Sequence, residues 1–195
     1  MFELRKVDAI RKTKEVDITL ELDIDGKGSA NIKTGIKFLD HILVTLAKHS
    51  LFDLKINAKG DLTHHTSEDI ALVLGEALNK ATNKGKGIKR FGSAYVPMDE
   101  SLARATVDLG GRSYIIRNLR IMQVQIEDLK TEDIEHFFDS LAQASKANIH
   151  VTVIYGSNEH HKIEAAVKAL GLALRQAFTL EPRIKDSVPS AKGVL

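Results

Sequence analysis

One chemical pattern occurs twice in this sequence, at corresponding places in two similar halves. The lone His41 is followed 23 residues later by the adjacent pair His64-His65, which runs on as His-His-x-x-Glu to Glu68. His136 is followed 24 residues later by His160-His161, which runs on in the same way to Glu164. Random order at this composition would yield about 0.02 copies of such a pattern, so two copies in matching places point to an internal duplication. Hydrophobic periodicity repeats along with the histidines. In the first half Val16, Ile18, Leu20, Leu22 and Ile24 alternate with polar residues and lead into Asp25-Gly26-Lys27-Gly28, which predicts a hairpin arm. Helical spacing follows over 36–49, strand character over 51–58, and a second helix from about Thr66, capped there, to Ala81. In the second half residues 103–109 and 112–119 read as strands around Gly110-Gly111, 132–146 as a helix, 149–155 as a strand and 161–178 as a helix.

These runs predict an α+β fold made by tandem duplication of a ββαβα unit. Each copy forms a sheet covered on one face by two helices, and the copies pack with pseudo-twofold symmetry. The expected divisions are a first half-repeat at 1–84, a second at 85–180, and a C-terminal tail at 181–195, together one compact domain. The Asn83-Lys84-Gly85-Lys86-Gly87 turn cluster marks the joint between the halves.

Composition narrows the chemistry. A chain of 195 residues that is 43% hydrophobic and 28% charged has the material for a core, which excludes intrinsic disorder. No apolar stretch approaches a bilayer span and the first residues lack an apolar signal region, so a cytoplasmic protein is expected, without membrane partners. A net charge of +2 and 5% aromatic residues argue against a nucleic-acid partner. With no cysteine, imidazole and carboxylate are the good metal ligands that remain.

On a helix, residues four apart share a face and adjacent residues diverge by about 100°. The first His and the Glu of each motif can therefore chelate one ion while the second His points toward another. The duplicated copy and the lone His41 and His136 can then complete each site, giving two sites of three histidines and one glutamate. Such a set suits Mn, Fe, Ni or Zn. The other constellation is basic: Lys89-Arg90, Arg112 after the Gly-Gly turn, and Lys192 in Ser190-Ala191-Lys192-Gly193, where guanidinium forks and free backbone N–H groups match phosphate oxygens.

Six ordered motifs make the chain resemble the imidazoleglycerol-phosphate dehydratase family over nearly its whole length. They are Arg11-Lys12-Thr13-Lys14-Glu15; the run from Gly35 to His41; His64-His65-Thr66-Ser67-Glu68-Asp69; Glu135-His136-Phe137-Phe138; the run from Glu159 to Ala165; and Val188-Pro189-Ser190-Ala191-Lys192-Gly193. The resemblance implies loss of water from imidazole glycerol phosphate to give imidazole acetol phosphate in histidine biosynthesis, with two Mn²⁺ ions per active site. It places one ion on His41, His65, His160 and Glu164, and the other on His64, Glu68, His136 and His161. It gives substrate contacts to Glu15, His49, Arg90, Arg112, Lys168, Ser190 and Lys192, of which Arg90, Arg112, Ser190 and Lys192 lie nearest the phosphate. It further implies catalytic roles for Glu15, His65, His160 and Glu164, with Glu15 in acid/base work. Self-association into a 24-subunit shell with active sites between subunits is implied as well.

Three positions depart from the family pattern. The stretch Gly60-Asp61-Leu62-Thr63 is shorter than usual and lacks the acidic residues that normally stand immediately before the His pair. Thr45 replaces a common Gln, and Ala191 a frequent Ser. Three rival functions fit parts of the pattern: a structural metal protein, an RNA-binding module and a dinuclear hydrolase. The basic residues separate the first from an enzyme, since a structural metal site has no use for a phosphate cradle. His150, alternating within a strand, is left without a task.

Overall fold

A computed structural model describes residues 5–185 and 187–195. Residues 1–4, which open the first half-repeat, and Asp186 of the tail lie outside it. The first half contains β1 (Lys6–Lys12), β2 (Val16–Asp23), β3 (Ala30–Lys33), α1 (Lys37–Ser50), β4 (Asp53–Gly60) and α2 (Thr63–Ala81). A short 3-10 turn over Asn83–Gly85 leads to the second half, with β5 (Phe91–Met98), β6 (Ser101–Asp108), β7 (Tyr114–Asn118), the two-residue strands β8 (Gln125–Ile126) and β9 (Leu129–Lys130), α3 (Thr131–Ser145), β10 (Asn148–Tyr155) and α4 (Glu159–Phe178). The two four-stranded sheets have the same order, β1-β2-β4-β3 and β5-β6-β10-β7. The duplication is thus a property of the fold as well as of the sequence.

Alternation explains which face each sheet buries. In β2 every second residue is buried (Val16, Ile18, Leu20, Leu22) while its neighbours face solvent. Each sheet lies under the two helices of its own half, and the halves meet helix to helix, α1 against α4 and α2 against α3. The buried apolar side chains of both halves form one continuous core.

The strand connections differ from the sequence expectation. The hairpin is β1–β2, turning at Thr13, whose hydroxyl accepts hydrogen bonds from the Glu15 and Val16 amides at 3.0 and 3.1 Å. The Asp25–Gly28 segment closes no hairpin. It carries the chain across to β3, which pairs in parallel with β4. In the second half, likewise, the Gly110-Gly111 turn leads to β7, which pairs in parallel with β10 and not with β6. Each unit therefore has one more leading strand than the ββαβα reading, namely β1 and β5.

The helix that carries the first His pair starts at Thr63, earlier than the expected cap at Thr66. The hydroxyls of Thr66 and Ser67 bond back to the carbonyls of Leu62 and His64 within the helix, so neither side chain is free to cap. His64 and His65 consequently belong to regular helix, and His64 and Glu68 share a face.

The contact of α2 with α3 depends on Gly75. A Cβ there would stand 2.7 Å from the Ala144 Cβ and 2.9 Å from the Leu141 carbonyl oxygen. Overpacking of this kind costs about 1–3 kcal/mol, and Ala regains up to about 1 kcal/mol in helix propensity over Gly. Gly75→Ala should therefore lose roughly 1–2 kcal/mol on balance. Urea unfolding checks this, and an unchanged midpoint would show that α3 yields at no cost.

Candidate metal centre

Two compact clusters arise where helices of different halves meet. Across the α1–α4 contact, the Nε2 atoms of His41 and His160 both lie 3.3 Å from Oε2 of Glu164. Across the α2–α3 contact, His64 and Glu68 share a helix face, with Nε2 to Oε2 at 3.6 Å, and the His136 ring centroid stands 5.0 Å from that of His64. In each cluster one ligating atom per residue falls within 4.8 Å of the others. Each cluster takes its lone histidine from one half and its His-x-x-x-Glu from the other.

The rings are aimed by carboxylates, most of which the sequence gave no reason to single out. Nδ1 of His64 sits 2.7 Å from buried Asp133, and Nδ1 of His65 sits 2.8 Å from Asp61. Nδ1 of His161 sits 2.7 Å from Glu100, and Nδ1 of His160 sits 3.3 Å from Glu127. A carboxylate on Nδ1 fixes the tautomer and leaves Nε2 as the ligating nitrogen, the usual arrangement behind a metal-bound imidazole. Acidic support missing from the position just before the first His pair is thus supplied from elsewhere, by Asp61 one turn earlier and by Asp133 on α3. The β8–β9 hairpin serves two ends. Glu127 reaches His160, and Asp128 accepts the Lys37 and Phe38 amides at 2.7 and 2.8 Å, capping the helix that carries His41.

Electrostatics around the first cluster favour a charged glutamate. Burial alone would raise the Glu164 pKa, but hydrogen bonds from Lys168 and His41 outweigh it and hold the group below its ordinary value. Lys168 donates to Oε1 of Glu164 at 2.8 Å, so Oε2 is left to face the two imidazoles. Half-buried His49 is pushed down by burial and by the neighbouring Lys168 charge. An open cleft of about 420 Å³ beside His41 and His160 gives access to this end. Three imidazole and carboxylate donors per cluster, with charge balanced by a carboxylate, fit a divalent first-row cation.

Not every expected ligand joins its set. Among the described residues His65 and His161 stand outside both clusters. His65 is engaged by Asp61, with Glu15 4.0 Å from its Nδ1, and His161 by Glu100 and Asp99. The basic residues gather at the opposite ends of the helices. The Arg90 amide bonds to Ala177 near the end of α4, and its guanidinium donates to the carbonyl of Pro189, next to Ser190. Gly111, beside exposed Arg112, packs against the backbone of Leu195. The Lys192 amide donates to the Ser190 hydroxyl at 3.3 Å. Sixteen residues of α4 separate His161 from Ala177, or about 24 Å at 1.5 Å per residue. Thr45 is buried in α1, and His150 lies on β10 opposite Thr106 and Ile116.

Comparison with known proteins gives this arrangement a context. Residues 34–174 match the family model described as imidazoleglycerol-phosphate dehydratase. The chain belongs to that family. An imidazoleglycerol-phosphate dehydratase of Caldanaerobacter subterraneus is 51% identical over 195 residues, covering 98% of this chain and 100% of that protein. One of Bacillus subtilis is 48% identical, with the same coverage. The crystal structure of the Staphylococcus aureus enzyme superposes with a TM-score of 0.83 at 35% identity, covering 90% of this chain and 99% of that one. The Pyrococcus furiosus enzyme in complex with (S)-C348 also gives 0.83, at 38% identity, over 96% of this chain and 100% of that one. The activity is accordingly that of a hydro-lyase of histidine biosynthesis, the removal of water from imidazole glycerol phosphate. None of the helices in the described residues is long and apolar enough to cross a membrane.

Proposed function

We propose that this dehydration is carried out at a Mn²⁺-dependent site assembled from more than one copy of the chain, in a cytoplasmic 24-subunit shell. The observation that carries the reading is the division of labour between the two ends of α4. His160 and Glu164 of the first cluster lie about 26 and 20 Å along α4 from Ala177, where the Arg90 amide docks, too far for one small substrate to touch both ends in the same chain. His65 and His161, each with Nδ1 taken by a carboxylate and both outside their own clusters, are the ligands that a neighbouring copy receives. One site then comprises His41, His160 and Glu164 with a His65, and the other His64, Glu68 and His136 with a His161.

Bound at these clusters, Mn²⁺ supplies Lewis acidity that stabilises negative charge on the substrate's imidazole ring. The chain's own residues do the rest. Arg90, Arg112, Ser190 and Lys192 hold the phosphate, while Lys168 and His49 line the approach to Glu164 and contact the glycerol side chain. Glu15, at the tip of the β1–β2 hairpin beside His65, takes the proton from carbon as the hydroxyl departs, and that proton and the departing hydroxide make up the water released. The enol that results tautomerises to the ketone of imidazole acetol phosphate.

Incubating the Mn²⁺-loaded protein with imidazole glycerol phosphate should give the ketone product. No product with Mn²⁺ or any other divalent ion would overturn the reading. Asp133 offers a check on the metal centre that needs no turnover. Replacing it with Ala should weaken metal binding by about 10–100-fold, measured by titration of the apoprotein, because the His64 ring loses the partner that aims it. An unchanged affinity would deny Asp133 that role.

A further inference from the structure

We propose that Asp108 is a positioning residue for the phosphate end of the substrate, fixing the Arg90 guanidinium so that one cation both clasps the C-terminal segment and presents its free N–H groups to the phosphate. This rests on the phosphate reading of Arg90 above. Asp108 ends β6 and takes Arg90 in a two-pronged pair, Nε to Oδ1 at 2.6 Å and Nη2 to Oδ2 at 3.0 Å. Nη1 donates to the Pro189 carbonyl at 3.0 Å. Three of the five guanidinium N–H groups are thereby spent, and the two that remain, one on each Nη, are fixed in direction.

Three further features hold the fork in place. The Arg90 backbone is in the left-handed region, φ 72°, and is pinned on both sides: its amide bonds to Ala177 O at 2.9 Å and its carbonyl accepts from the Leu109 amide at 3.0 Å. A residue other than Gly keeps such a conformation only where its surroundings over-determine it. The Phe91 ring covers the guanidinium, with Cζ 4.6 Å from its centroid. Gly110 leaves room for the pair, because a Cβ there would stand 2.9 Å from Nη2 of Arg90 and 3.0 Å from both Asp108 oxygens. Because Pro189 precedes Ser190, the same guanidinium sets the position of the tail residues assigned to the phosphate. Tail placement and phosphate binding are therefore coupled through Asp108.

The test uses the assembled Mn²⁺-loaded protein with inorganic phosphate as the probe. D108N should raise the dissociation constant for phosphate about tenfold, the scale of one lost charge-assisted hydrogen bond. It should raise KM for imidazole glycerol phosphate in step, leave kcat within about twofold, and speed tryptic cleavage in the tail; D108E should restore most of each. Should D108N fail to assemble, G110A crowds the pair with both side chains retained and is expected to give the same changes. Phosphate binding that R90M weakens but D108N and G110A do not would overturn the positioning role alone. Binding that R90M leaves unaltered would remove the phosphate reading, and this proposal with it.

Discussion

Replacing Glu15 with Gln is expected to lower kcat by about a hundredfold or more, the range associated with losing a general base, while metal content and particle size stay as they are. The side chain is placed for this task by its surroundings. Thr13 shapes the turn, the Asp61 amide bonds to the Glu15 carbonyl at 3.0 Å, and the half-exposed carboxylate stands 4.0 Å from Nδ1 of His65. Gln keeps the size and the backbone turn and removes only the capacity to take a proton. Steady-state kinetics with metal analysis on the same sample decide the matter, and full turnover with both metals bound would strip Glu15 of the role.

His41→Ala and His136→Ala should each cost one of the two metal ions, and the large assembly with it. Among the described residues each cluster has three donors from one chain, so removing the lone histidine leaves a two-donor remnant that holds a divalent ion poorly. Because the missing fourth ligand is proposed to come from a neighbour, the lost ion also removes a bond between copies. Metal content should fall by roughly half, and sedimentation should report smaller species. A full-sized particle with full metal content would count against shared sites.

The parts of this molecule legible in the sequence are those written in local spacing. The duplication, the four helices and a His-x-x-x-Glu chelate in each half follow from periodicity and from a four-residue step on a helix, whereas which lone histidine joins which chelate follows only from the family resemblance. Strands β1 and β5 escaped because they carry little pattern. Lys6–Lys12 alternates between exposed and half-buried residues, and Phe91–Met98 contains a Gly, a Pro and exposed aromatics, as edge strands do. The parallel pairing of β3 and β7 was hidden because a Gly-rich turn reads as a hairpin whichever neighbour the next strand joins. Of the carboxylates that aim the rings, Asp61 lies four residues before His65 and had a spacing signal. Asp133 lies 69 residues from His64, and its one clue was an acidic group on the buried face of α3, one turn before His136. The Asp108–Arg90 pair joins the end of one strand to the start of its neighbour, a relation set by sheet register, which spacing does not encode.

The exchange of histidines between the halves has a consequence for origins. Among the described residues neither half builds one of the histidine–glutamate clusters by itself, since each lends its lone histidine to the other's helix. A chain of one unit would have made either cluster only by pairing with its twin, at the mercy of its own concentration. Joining two units end to end turned that encounter into an intramolecular one, with an effective concentration on the order of millimolar. Once tethered, the twins were free to differ, and they do: Asp61 orients a ring in one half where Glu100 does so in the other, and among the described residues the hairpin that carries Glu127 and Asp128 belongs to the second half alone.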